Sequence, residues 1–504
     1  MGVERMSGKV TLIGAGPGDP GLFTLRGREA LSEADVVVYD ALVGPGVLGM
    51  IPEDARLIYV GKRASHHAMR QEDINRVLLE EAKAGHNVAR LKGGDPFLFG
   101  RGGEELELLA ENGIPFEVIP GVTSAFSVPA LNGIPVTHRD YCASVHVITG
   151  HRRAGEPYDI DFSALVKAGG TLIFLMGLSA LHDIAAGLMA AGMPADTPAA
   201  VLEKGATARQ RRISAPLGRL EAVCEAAHAQ TPAIIVAGEV CELAERFAWL
   251  EKKPLFGKRI IVTRPRELVS GLAKLLRRDG AEVIELPAIR TVPVQDDGPV
   301  LEAIRRLEGG GFDWLVFTSP SGARIFLEKL TEVSDLRALS GVKLAAIGEG
   351  TRKALKQYGL RADFMPSVYD GETLGRELRA VLPQGVRVLI PRAAIGNPEL
   401  IRELGGDFDI TDLATYDTVY AESRVIDAKA LIDAGEIDYC VFTSASTVRG
   451  FAAGAPGVDF SKVNAVCIGR QTAAAAREYG MNIHISEKAT LESLVECVRR
   501  AANP

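Results

Sequence analysis

Residues Arg90–Glu105 read RLKGGDPFLFGRGGEE, a short apolar strand followed by a glycine-rich turn and the start of a helix. Gly93 and Gly94 lie where the strand ends, and a backbone without side chains at that point lets a ligand approach closely. The stretch therefore predicts an α/β protein with a ligand site at the end of a strand.

Two further turns of the same type lie in the first quarter of the chain. GAGPGD (14–19) follows the strand Lys9–Gly14, and PGVTSA (120–125) follows the strand Phe116–Ile119. Because the carboxyl ends of parallel strands meet at one edge of a sheet, the three turns predict a site that surrounds a small ligand with backbone groups and short hydroxyls.

The rest of the chain repeats the order of strand, glycine turn and helix. The strands are continuous runs of Val, Ile and Leu, which are typical of parallel sheets covered by helices on both faces. The strands that we predict before residue 264 are Lys9–Gly14, Val36–Tyr39, Asn87–Leu91, Phe116–Ile119, Ser144–Thr149, Thr171–Met176, Ala199–Glu203, Ala233–Ala237 and Arg259–Thr263. The fold class is therefore α/β.

Length and composition limit the classes of protein. The 504 residues predict about three or four domains. A net charge of −7 argues against a protein that binds nucleic acids or anionic membranes. An anionic ligand would therefore need a local basic pocket. The six cysteines contain no CxxC pair, and no apolar run approaches about 18 residues, so we expect a reduced, cytoplasmic protein without a membrane span.

Two stretches predict the domain boundaries. GIPVTHRDY (133–141) separates two sets of strands, and EKKPLFGK (251–258) places charge, proline and glycine before a new strand. We predict one α/β domain over residues 7–138, a second over 139–250, a linker over 251–257 and a C-terminal unit over 258–504.

The C-terminal unit contains an internal repeat. DWLVFTSPSGARIF (313–326) matches DYCVFTSASTVRGF (438–451), and KLAAIGEGTRKALKQYGL (343–360) matches NAVCIGRQTAAAAREYGM (464–481). The repeat predicts two similar lobes that face each other across a cleft. Its Ser and Thr residues begin helices, where amides and hydroxyls suit carboxylate ligands, although helix capping alone explains each of them equally well.

The first glycine turn by itself leaves the ligand open. The dinucleotide pattern GxGxxG/A needs Gly or Ala where Asp19 stands, and Pro17 lacks an amide that a phosphate would use. Asp40, however, closes the next strand, where an acid that binds a ribose would lie. The turn is thus equally compatible with NAD and with another adenosyl ligand, and the two additional turns favour the second.

The motifs GAGPGDP, YDALV, VGKR, RLKGGDPFLFGRGGEE, PGVTSA, GIPVTHRDY, TGH and LMG, in this order, resemble the uroporphyrinogen-III C-methyltransferase family of tetrapyrrole methylases. The resemblance covers about residues 7–250 and implies a homodimer that binds S-adenosyl-L-methionine between two α/β domains. It implies cofactor contacts at Pro17, Gly93, Gly94, Asp95, Leu98, Thr123, Ser124, Met176 and Gly205. It also places Asp40 and Lys62 at the proposed proton acceptor and donor.

These residue types suit methyl transfer to carbon. Attack by a pyrrole carbon on a sulfonium methyl group needs positioning rather than a protein nucleophile, and Asp40 and Lys62 would move the protons. The implied substrate carries eight carboxylates, for which a basic surface is available in Lys62, Arg63, Arg70, Arg101, His138, Arg139, His151 and Arg152. We assign no metal.

The order KRIIVTRP, VFTSPSGARIF, AIGEGT, IPRAAIGN, TYDTVY, VFTSAS and IGRQT resembles the uroporphyrinogen-III synthase family over about residues 256–504. The resemblance implies closure of hydroxymethylbilane to a macrocycle without a cofactor. It implies a lobe one of residues 258–291 plus 419–504 and a lobe two of 292–418. Tyr416 matches a tyrosine proposed to assist loss of the hydroxyl, and the implied substrate contacts are Arg264, Thr318, Ser319, Thr351, Arg392, Thr443, Ser444 and Thr472.

Together the two resemblances predict a bifunctional enzyme of the siroheme or cobalamin branch. The second half would make uroporphyrinogen III, and the first half would methylate it at C2 and C7 to precorrin-2. The dehydrogenase and ferrochelatase module of siroheme synthases is expected to be absent. Two alternatives stay open, an NAD-dependent dehydrogenase and a second half that binds a tetrapyrrole without catalysis.

Overall fold

The computed structural model describes residues 8–61, 69–151, 160–263, 266–396 and 398–503. Twenty strands in these ranges form four sheets of five strands each. Two of the sheets lie before residue 238 and two after residue 258. No helix in the described ranges has the length and apolar character needed to span a membrane.

The first sheet is entirely parallel. Its strands are β1 (Val10–Gly14), β2 (Val36–Tyr39), β3 (Arg56–Tyr59), β4 (Val88–Lys92) and β5 (Phe116–Ile119), in the order β3-β2-β4-β1-β5. Its helices are α1 (Leu25–Ser32), α2 (Pro45–Leu48), α3 (Gln71–Lys83), α4 (Gly102–Glu111) and α5 (Ser124–Leu131). Every residue of β1, β2 and β4 is buried, which explains the apolar sequence of β2 and the mainly apolar sequence of β1, whereas β4 also buries two cations, Arg90 and Lys92.

The second sheet differs from the parallel arrangement that we expected. Its strands are β6 (Val145–Thr149), β7 (Thr171–Leu175), β8 (Pro198–Glu203), β9 (Arg211–Pro216) and β10 (Ala233–Ala237), with helices α6 (Phe162–Ala168), α7 (Leu181–Ala190) and α8 (Leu217–Ala226). In the order β6-β7-β10-β8-β9, only β6 and β7 are parallel. The short loop 204–210 joins β8 directly to β9, and so short a connection requires antiparallel neighbours.

The second half contains ten strands, ten α-helices and two short 3-10 helices, Leu336–Leu339 and Phe460–Lys462, within the described ranges. The strands are β11 (Arg259–Val262), β12 (Glu282–Glu285), β13 (Ile289–Pro293), β14 (Trp314–Phe317), β15 (Lys343–Ala346), β16 (Arg387–Ala393), β17 (Asp409–Tyr420), β18 (Tyr439–Phe442), β19 (Asn464–Cys467) and β20 (Asn482–Ile485). The helices are α9 (Arg266–Arg278), α10 (Gly298–Glu308), α11 (Pro320–Val333), α12 (Glu349–Gln357), α13 (Gly371–Arg379), α14 (Glu399–Leu404), α15 (Ala428–Asp433), α16 (Ala445–Gly454), α17 (Arg470–Glu478) and α18 (Leu491–Ala502).

These strands form one sheet from the two ends of the second half and another from its middle. The third sheet has the parallel order β12-β11-β18-β19-β20, and the fourth has the order β13-β17-β16-β14-β15. Only β13 and β17 pair antiparallel in the fourth sheet. One copy of the internal repeat forms β14, α11, β15 and α12, and the other forms β18, α16, β19 and α17.

A buried group of charged side chains joins β4 to two helices of the first domain. Glu105, in the first turn of α4, is fully buried, and its Oε1 accepts hydrogen bonds from Lys92 Nζ at 2.7 Å and Arg90 Nε at 3.3 Å. Gln71 Nε2, at the start of α3, donates to the same oxygen at 3.2 Å. Arg90 and Lys92 are also buried, so Glu105 supplies the negative charge that two buried cations require.

Replacing Glu105 by glutamine removes that charge while keeping the shape of the side chain. Loss of one partner from a buried ion pair leaves an uncompensated charge, so Glu105→Gln should lower the free energy of unfolding of this domain by roughly 3 kcal/mol. Denaturant unfolding of the full chain measures the loss. The matched control is Glu104→Gln, because Glu104 is half-exposed and pairs with Arg101 at the surface, where the expected loss is below about 1 kcal/mol. Equal losses for the two variants would contradict this role of Glu105.

Candidate active sites

The three glycine turns of the first domain meet at the carboxyl edge of the first sheet. A Cβ atom on Gly121 would lie 2.1 Å from Gly94 O and 2.7 Å from Gly14 Cα, and a Cβ on Gly14 would lie 2.4 Å from Gly121 N. Such distances exclude any side chain at Gly14 and Gly121 without movement of the backbone. Glycine at these two positions is therefore what allows the three turns to approach one another.

Hydrogen bonds between the turns fix this arrangement. Gly16 and Gly94 exchange two backbone hydrogen bonds, Gly94 N to Gly16 O at 2.7 Å and Gly16 N to Gly94 O at 3.2 Å. Asp95 Oδ2 accepts from Gly121 N at 2.9 Å, and its Oδ1 accepts from Phe97 N at 2.8 Å. Thr123 is the N-cap residue of α5. Asp95 and Thr123, both expected to contact a cofactor, thus make hydrogen bonds within the turns themselves.

A cavity of about 860 Å³ lies beside the turns and between the first two sheets. Seven of the nine residues expected to contact the cofactor line it: Pro17, Gly93, Gly94, Leu98, Ser124, Met176 and Gly205. Asp95 and Thr123 are the two that do not. Seven residues from separate turns therefore border one cavity, as the resemblance to the methyltransferase family implies for a shared cofactor site.

Residues with left-handed backbone conformations concentrate around this cavity. Six non-glycine residues of the described chain have a positive φ, and four of them line the cavity: Phe99 (53°), Arg101 (60°), Met176 (56°) and Lys204 (45°). Non-glycine residues rarely adopt such angles, and those that do cluster at functional sites. Sequence patterns carry no signal for this feature, because none of the four residues is of a type that favours a positive φ.

Asp40 follows β2 and borders the same cavity. Its Oδ1 accepts a hydrogen bond from Leu42 N at 3.0 Å, and its Oδ2 is 3.3 Å from Arg90 Nη1. The Arg90 guanidinium also donates to Leu91 O at 2.7 Å and to Glu105, so its position is fixed from three sides. The side chain of Asp40 is thereby held at the cavity by a buried cation.

Arg90 and Lys92 also line the cavity, although we predicted no site role for either. Burial of the ammonium, together with the neighbouring Arg90 guanidinium, lowers the pKa of Lys92. The motif RLKGGD contained a signal for both residues, because cationic side chains are rarely buried in a strand unless they are paired or serve a function.

The described lining fits an adenosyl sulfonium better than a pyrophosphate. A dinucleotide turn must leave its backbone N–H groups free for phosphate oxygens. Here Ala15 N donates to Lys92 O at 2.8 Å, and the N–H groups of Gly16 and Gly94 each donate to the carbonyl oxygen of the other residue. Pro17 has no amide to offer. The apolar side chains of Leu98 and Met176 complete a lining that suits an adenosyl thioether or sulfonium.

The basic residues expected to bind carboxylates in the first half have different positions. Arg101 lines the cavity, and its guanidinium is paired with Glu104 at 2.5 Å. His138 accepts a hydrogen bond from Asp140 N at 3.2 Å and is half-buried, whereas Arg70, Arg139 and His151 are exposed and do not line the cavity. Lys62, Arg63 and Arg152 lie outside the described residues.

In the second half, Tyr416 and Ser319 form a hydrogen-bonded pair. Tyr416 lies in β17 and is buried, and its hydroxyl is 2.9 Å from Ser319 Oγ. Ser319 is the N-cap residue of α11 and accepts from Gly322 N at 2.9 Å. Burial raises the pKa of Tyr416, and the hydrogen bond with Ser319 opposes that shift in part. The phenol therefore keeps its proton at neutral pH.

The repeat places an equivalent helix start in the third sheet. Ser444 is the N-cap residue of α16 and forms a capping box with Thr447. Helices α11 and α16 both pack against β17, so the two copies of the Thr-Ser element begin helices that contact one strand. Thr351 and Thr472 are buried in the first turns of α12 and α17, and Thr318 and Thr443 are half-buried just before Ser319 and Ser444.

Arg392 has a partner within the protein. Its guanidinium forms two hydrogen bonds of 2.6 Å with the two carboxylate oxygens of Asp412, and the side chain is largely buried. A β-bulge separates Arg392 from Ala393, which pairs with Tyr416 on the neighbouring strand. Such bulges redirect side chains at functional edges of sheets. Arg264 lies outside the described residues.

The six cysteines are free thiols, and five of them are buried. Burial raises the pKa of Cys241 to about 12 and that of Cys467 also to about 12. These thiols are protonated at neutral pH and do not act as nucleophiles. Among the described residues, no group of three His, Cys, Asp or Glu side chains is arranged to hold a metal ion.

Comparison with known protein families divides the chain into two parts. The family model of the tetrapyrrole (corrin/porphyrin) methylases matches residues 9–221. The family model of uroporphyrinogen-III synthase HemD matches residues 270–496. Both agree with the resemblances drawn from the sequence motifs.

Individual relatives extend this result to the whole chain. The porphyrin biosynthesis protein HemD of Ruminiclostridium josui is 45% identical over 493 residues, which cover 97% of each chain. The uroporphyrinogen-III C-methyltransferase of Bacillus subtilis (strain 168) is 39% identical over 356 residues, 70% of this chain and 72% of that protein. The chain spans about half the length of the curated siroheme synthases that it matches.

A solved structure matches the first half. The uroporphyrin-III C-methyltransferase of Thermus thermophilus, in complex with S-adenyl homocysteine, is 40% identical and covers 47% of this chain and 99% of its own, with a TM-score of 0.40. From the relative that matches over the full length and the two family models, the chain belongs to the family of tetrapyrrole biosynthesis enzymes in which a tetrapyrrole methylase is joined to a uroporphyrinogen-III synthase.

Proposed function

We propose that the chain is a bifunctional enzyme that closes hydroxymethylbilane to uroporphyrinogen III and then methylates this product at C2 and C7 to precorrin-2. The observation that carries the proposal is the cavity of about 860 Å³ beside the glycine turns, whose lining includes Asp40 and seven residues of the expected methyl-donor site. The relatives with both parts support the pairing of the two activities.

S-Adenosyl-L-methionine is the methyl donor. When bound, it supplies a methyl group made electrophilic by the neighbouring sulfonium. The turns at Gly16 and Gly94 would hold the donor against backbone, and Leu98 and Met176 would add an apolar contact that excludes water. The task of the protein is then to hold the acceptor carbon in line with the methyl group.

Asp40 handles the proton in this proposal. Methylation of a pyrrole carbon leaves positive charge on the macrocycle, and a proton must then leave the ring. Asp40 borders the cavity and is oriented by Arg90 and Leu42 N, which makes it the described carboxylate best placed to accept that proton. Lys62, assigned as proton donor from the resemblance, stays a prediction.

The second half uses a neutral phenol. Ring closure begins when the C–O bond of the hydroxymethyl group breaks and the hydroxyl leaves as water by taking up a proton, which the attacked pyrrole releases again when the ring closes. Tyr416 can donate a hydrogen bond to the leaving hydroxyl because its proton is retained at neutral pH. Ser319 orients the phenol, and the helix starts at Ser319 and Ser444 offer amides and hydroxyls to the substrate's carboxylates. The remaining substrate contacts expected from the resemblance, with Arg264 and Arg392 among them, stay predictions.

A homodimer formed through the methylase half, a cytoplasmic location and a role in the siroheme or the cobalamin branch complete the proposal. The homodimer and the branch rest on the resemblance to the family and on its relatives, whereas the cytoplasmic location rests on the six scattered cysteines without a CxxC pair.

The direct test supplies both substrates to the full chain. Under anaerobic conditions, hydroxymethylbilane and S-adenosyl-L-methionine should give precorrin-2, identified by mass spectrometry and absorbance, with uroporphyrinogen III as the intermediate. Formation of only the symmetric isomer would show that the second half is not a synthase. Uroporphyrinogen III without a methylated product would contradict the activity proposed for the first half.

Asp40→Asn should abolish proton acceptance without disturbing the cofactor turns. We expect the turnover number for methylation of supplied uroporphyrinogen III to fall by about a hundredfold or more, the range for loss of a general base. Calorimetry should show an unchanged affinity for S-adenosylhomocysteine. The matched control is Asp35→Asn, because Asp35 precedes the strand that Asp40 follows and only accepts a hydrogen bond from Asn87 N. Unchanged turnover for Asp40→Asn would rule out its catalytic role.

Tyr416→Phe should slow ring closure by about a hundredfold, because the phenol hydroxyl that assists the leaving group is lost. The raised pKa of Tyr416 also predicts no loss of activity from this group as pH rises from 7 to about 10, the ordinary tyrosine value. Rates of uroporphyrinogen III formation across this range test both expectations.

Tyr439→Phe is the control for this experiment. The Tyr439 hydroxyl is also hydrogen-bonded, donating to Ala501 O at 2.7 Å, but it lies on β18 and holds the C-terminal helix. Its loss should affect stability more than ring closure. Normal kinetics for Tyr416→Phe would make Tyr416 a packing residue.

A further inference from the structure

The cavity of the first half has a wall supplied by the second half. Besides residues of the first two domains, its lining includes the charged residues Arg259, Glu282 and Asp427 of the second half. It also includes four apolar residues, Ile284 of β12, Val425 and Ile426 of the segment after β17, and Leu431 of α15. All four belong to lobe one, defined above as residues 258–291 plus 419–504. The second half thus adds apolar side chains to a cavity whose expected cofactor residues all lie in the first half.

Lobe one is attached to the loop 204–210, which carries the expected cofactor residue Gly205. Ala208 N donates to Glu282 Oε2 at 2.7 Å. Arg209 donates to Gly257 O and to Glu436 O, both at 3.1 Å. These bonds connect the loop with the strand β12 and with the chain that precedes β18.

A second attachment joins lobe one to the loop between α2 and β3. Arg424 Nη1 donates to Glu53 O at 2.6 Å and to Ala55 O at 3.2 Å, and Arg290 pairs with Glu53 at 3.1 Å. Val425 packs against the core of the first sheet and also against the core of the third sheet. The wall is therefore held at two places, on either side of the cavity.

The candidate synthase site is a separate place. Ser319, Tyr416 and Ser444 do not line the cavity, and lobe one reaches it through the amino ends of β11 and β12 and through α15. The residues of the third sheet that begin α16 and α17 follow the carboxyl ends of β18 and β19, at the opposite edge of that sheet. Lobe one therefore borders the cavity with the amino ends of its strands and the candidate synthase site with the carboxyl ends of its strands.

We propose that lobe one forms part of the acceptor pocket of the methyltransferase, so that its apolar wall contacts the tetrapyrrole ring during methylation. The inference rests on the proposed function of the first half. The expected methyl-donor residues lie outside lobe one, so the space that lobe one borders is left for the acceptor. The apolar face of such a ring matches the four apolar side chains of the wall, and its carboxylates match the cations elsewhere in the lining. The two acids of the wall already have partners, since Glu282 is paired with Arg259 at 2.9 Å and Asp427 caps α15.

Substitutions of opposite charge at the wall test this contact, because only a negative charge should repel the carboxylates of the tetrapyrrole. Leu431 is half-buried, so a charged side chain can be accommodated there. In the full chain, Leu431→Glu should raise the KM for uroporphyrinogen III by about tenfold through repulsion of its carboxylates, a change of about 1.4 kcal/mol. Leu431→Lys should leave that KM unchanged or lower it, and Leu431→Met is the volume-conserving control.

Three further measurements make the test decisive. Anaerobic titration with uroporphyrinogen III in the presence of S-adenosylhomocysteine gives the affinity without turnover. The rate of ring closure should stay within about twofold of the wild-type value, since distant sites behave independently. The affinity for S-adenosylhomocysteine should stay within the same range, because the expected donor contacts all lie in the first half. The affinity for S-adenosylhomocysteine reports on folding of the first half, and the rate of ring closure reports on folding of the second half.

The outcomes separate the inference from the proposed function. Weaker acceptor binding for Leu431→Glu but not for Leu431→Lys supports the acceptor wall. Equal weakening by both charges, no effect of either, or a parallel loss of ring closure overturns it. A wild-type chain that binds uroporphyrinogen III but does not methylate it would contradict the proposed activity, and the titration would still decide the position of the wall.

Discussion

The structure of the first half depends on the close approach of three backbone turns at Gly14, Gly94 and Gly121. Their separation leaves no room for a Cβ atom on Gly14 or Gly121, and the Gly16–Gly94 hydrogen bonds use the amides that a phosphate would need. The same constraint therefore creates a ligand site and selects against a pyrophosphate. The cavity beside the turns is lined by backbone, short hydroxyls and apolar side chains, which suit an adenosyl sulfonium.

Charge inside this site is arranged around one buried strand. Arg90 and Lys92 lie on β4, Glu105 balances them from α4, and Asp40 receives the remaining contact of Arg90 at the cavity. An acidic chain thus concentrates two cations beside the space meant for a ligand with many carboxylates. The buried ion pairs also restrain Asp40, so stability of the domain and position of the proposed base rest on the same contacts.

The sequence predicted the α/β class, eight of the ten strands of the first half and the meeting of the three glycine turns at one edge of the sheet, because these depend on local apolar runs and glycine turns. It missed β3 (56–59) and β9 (211–216), most of whose residues are exposed or only partly buried. It also missed the antiparallel pairs of the second sheet, of which β8 with β9 follows from a short loop rather than from strand composition. The contact of Arg90 with Asp40, the bidentate pair of Arg392 with Asp412 and the wall at Leu431 all join residues distant in sequence, so no local pattern could indicate them.

We propose that the glycine turns hold an adenosyl sulfonium rather than a dinucleotide. Isothermal titration calorimetry of the full chain with S-adenosylhomocysteine and with NAD tests it directly, because both ligands carry adenosine and differ in the group beside it. We expect saturable binding of S-adenosylhomocysteine at one site per chain and no measurable heat with NAD. Tight binding of NAD, with S-adenosylhomocysteine unable to displace it, would contradict the account.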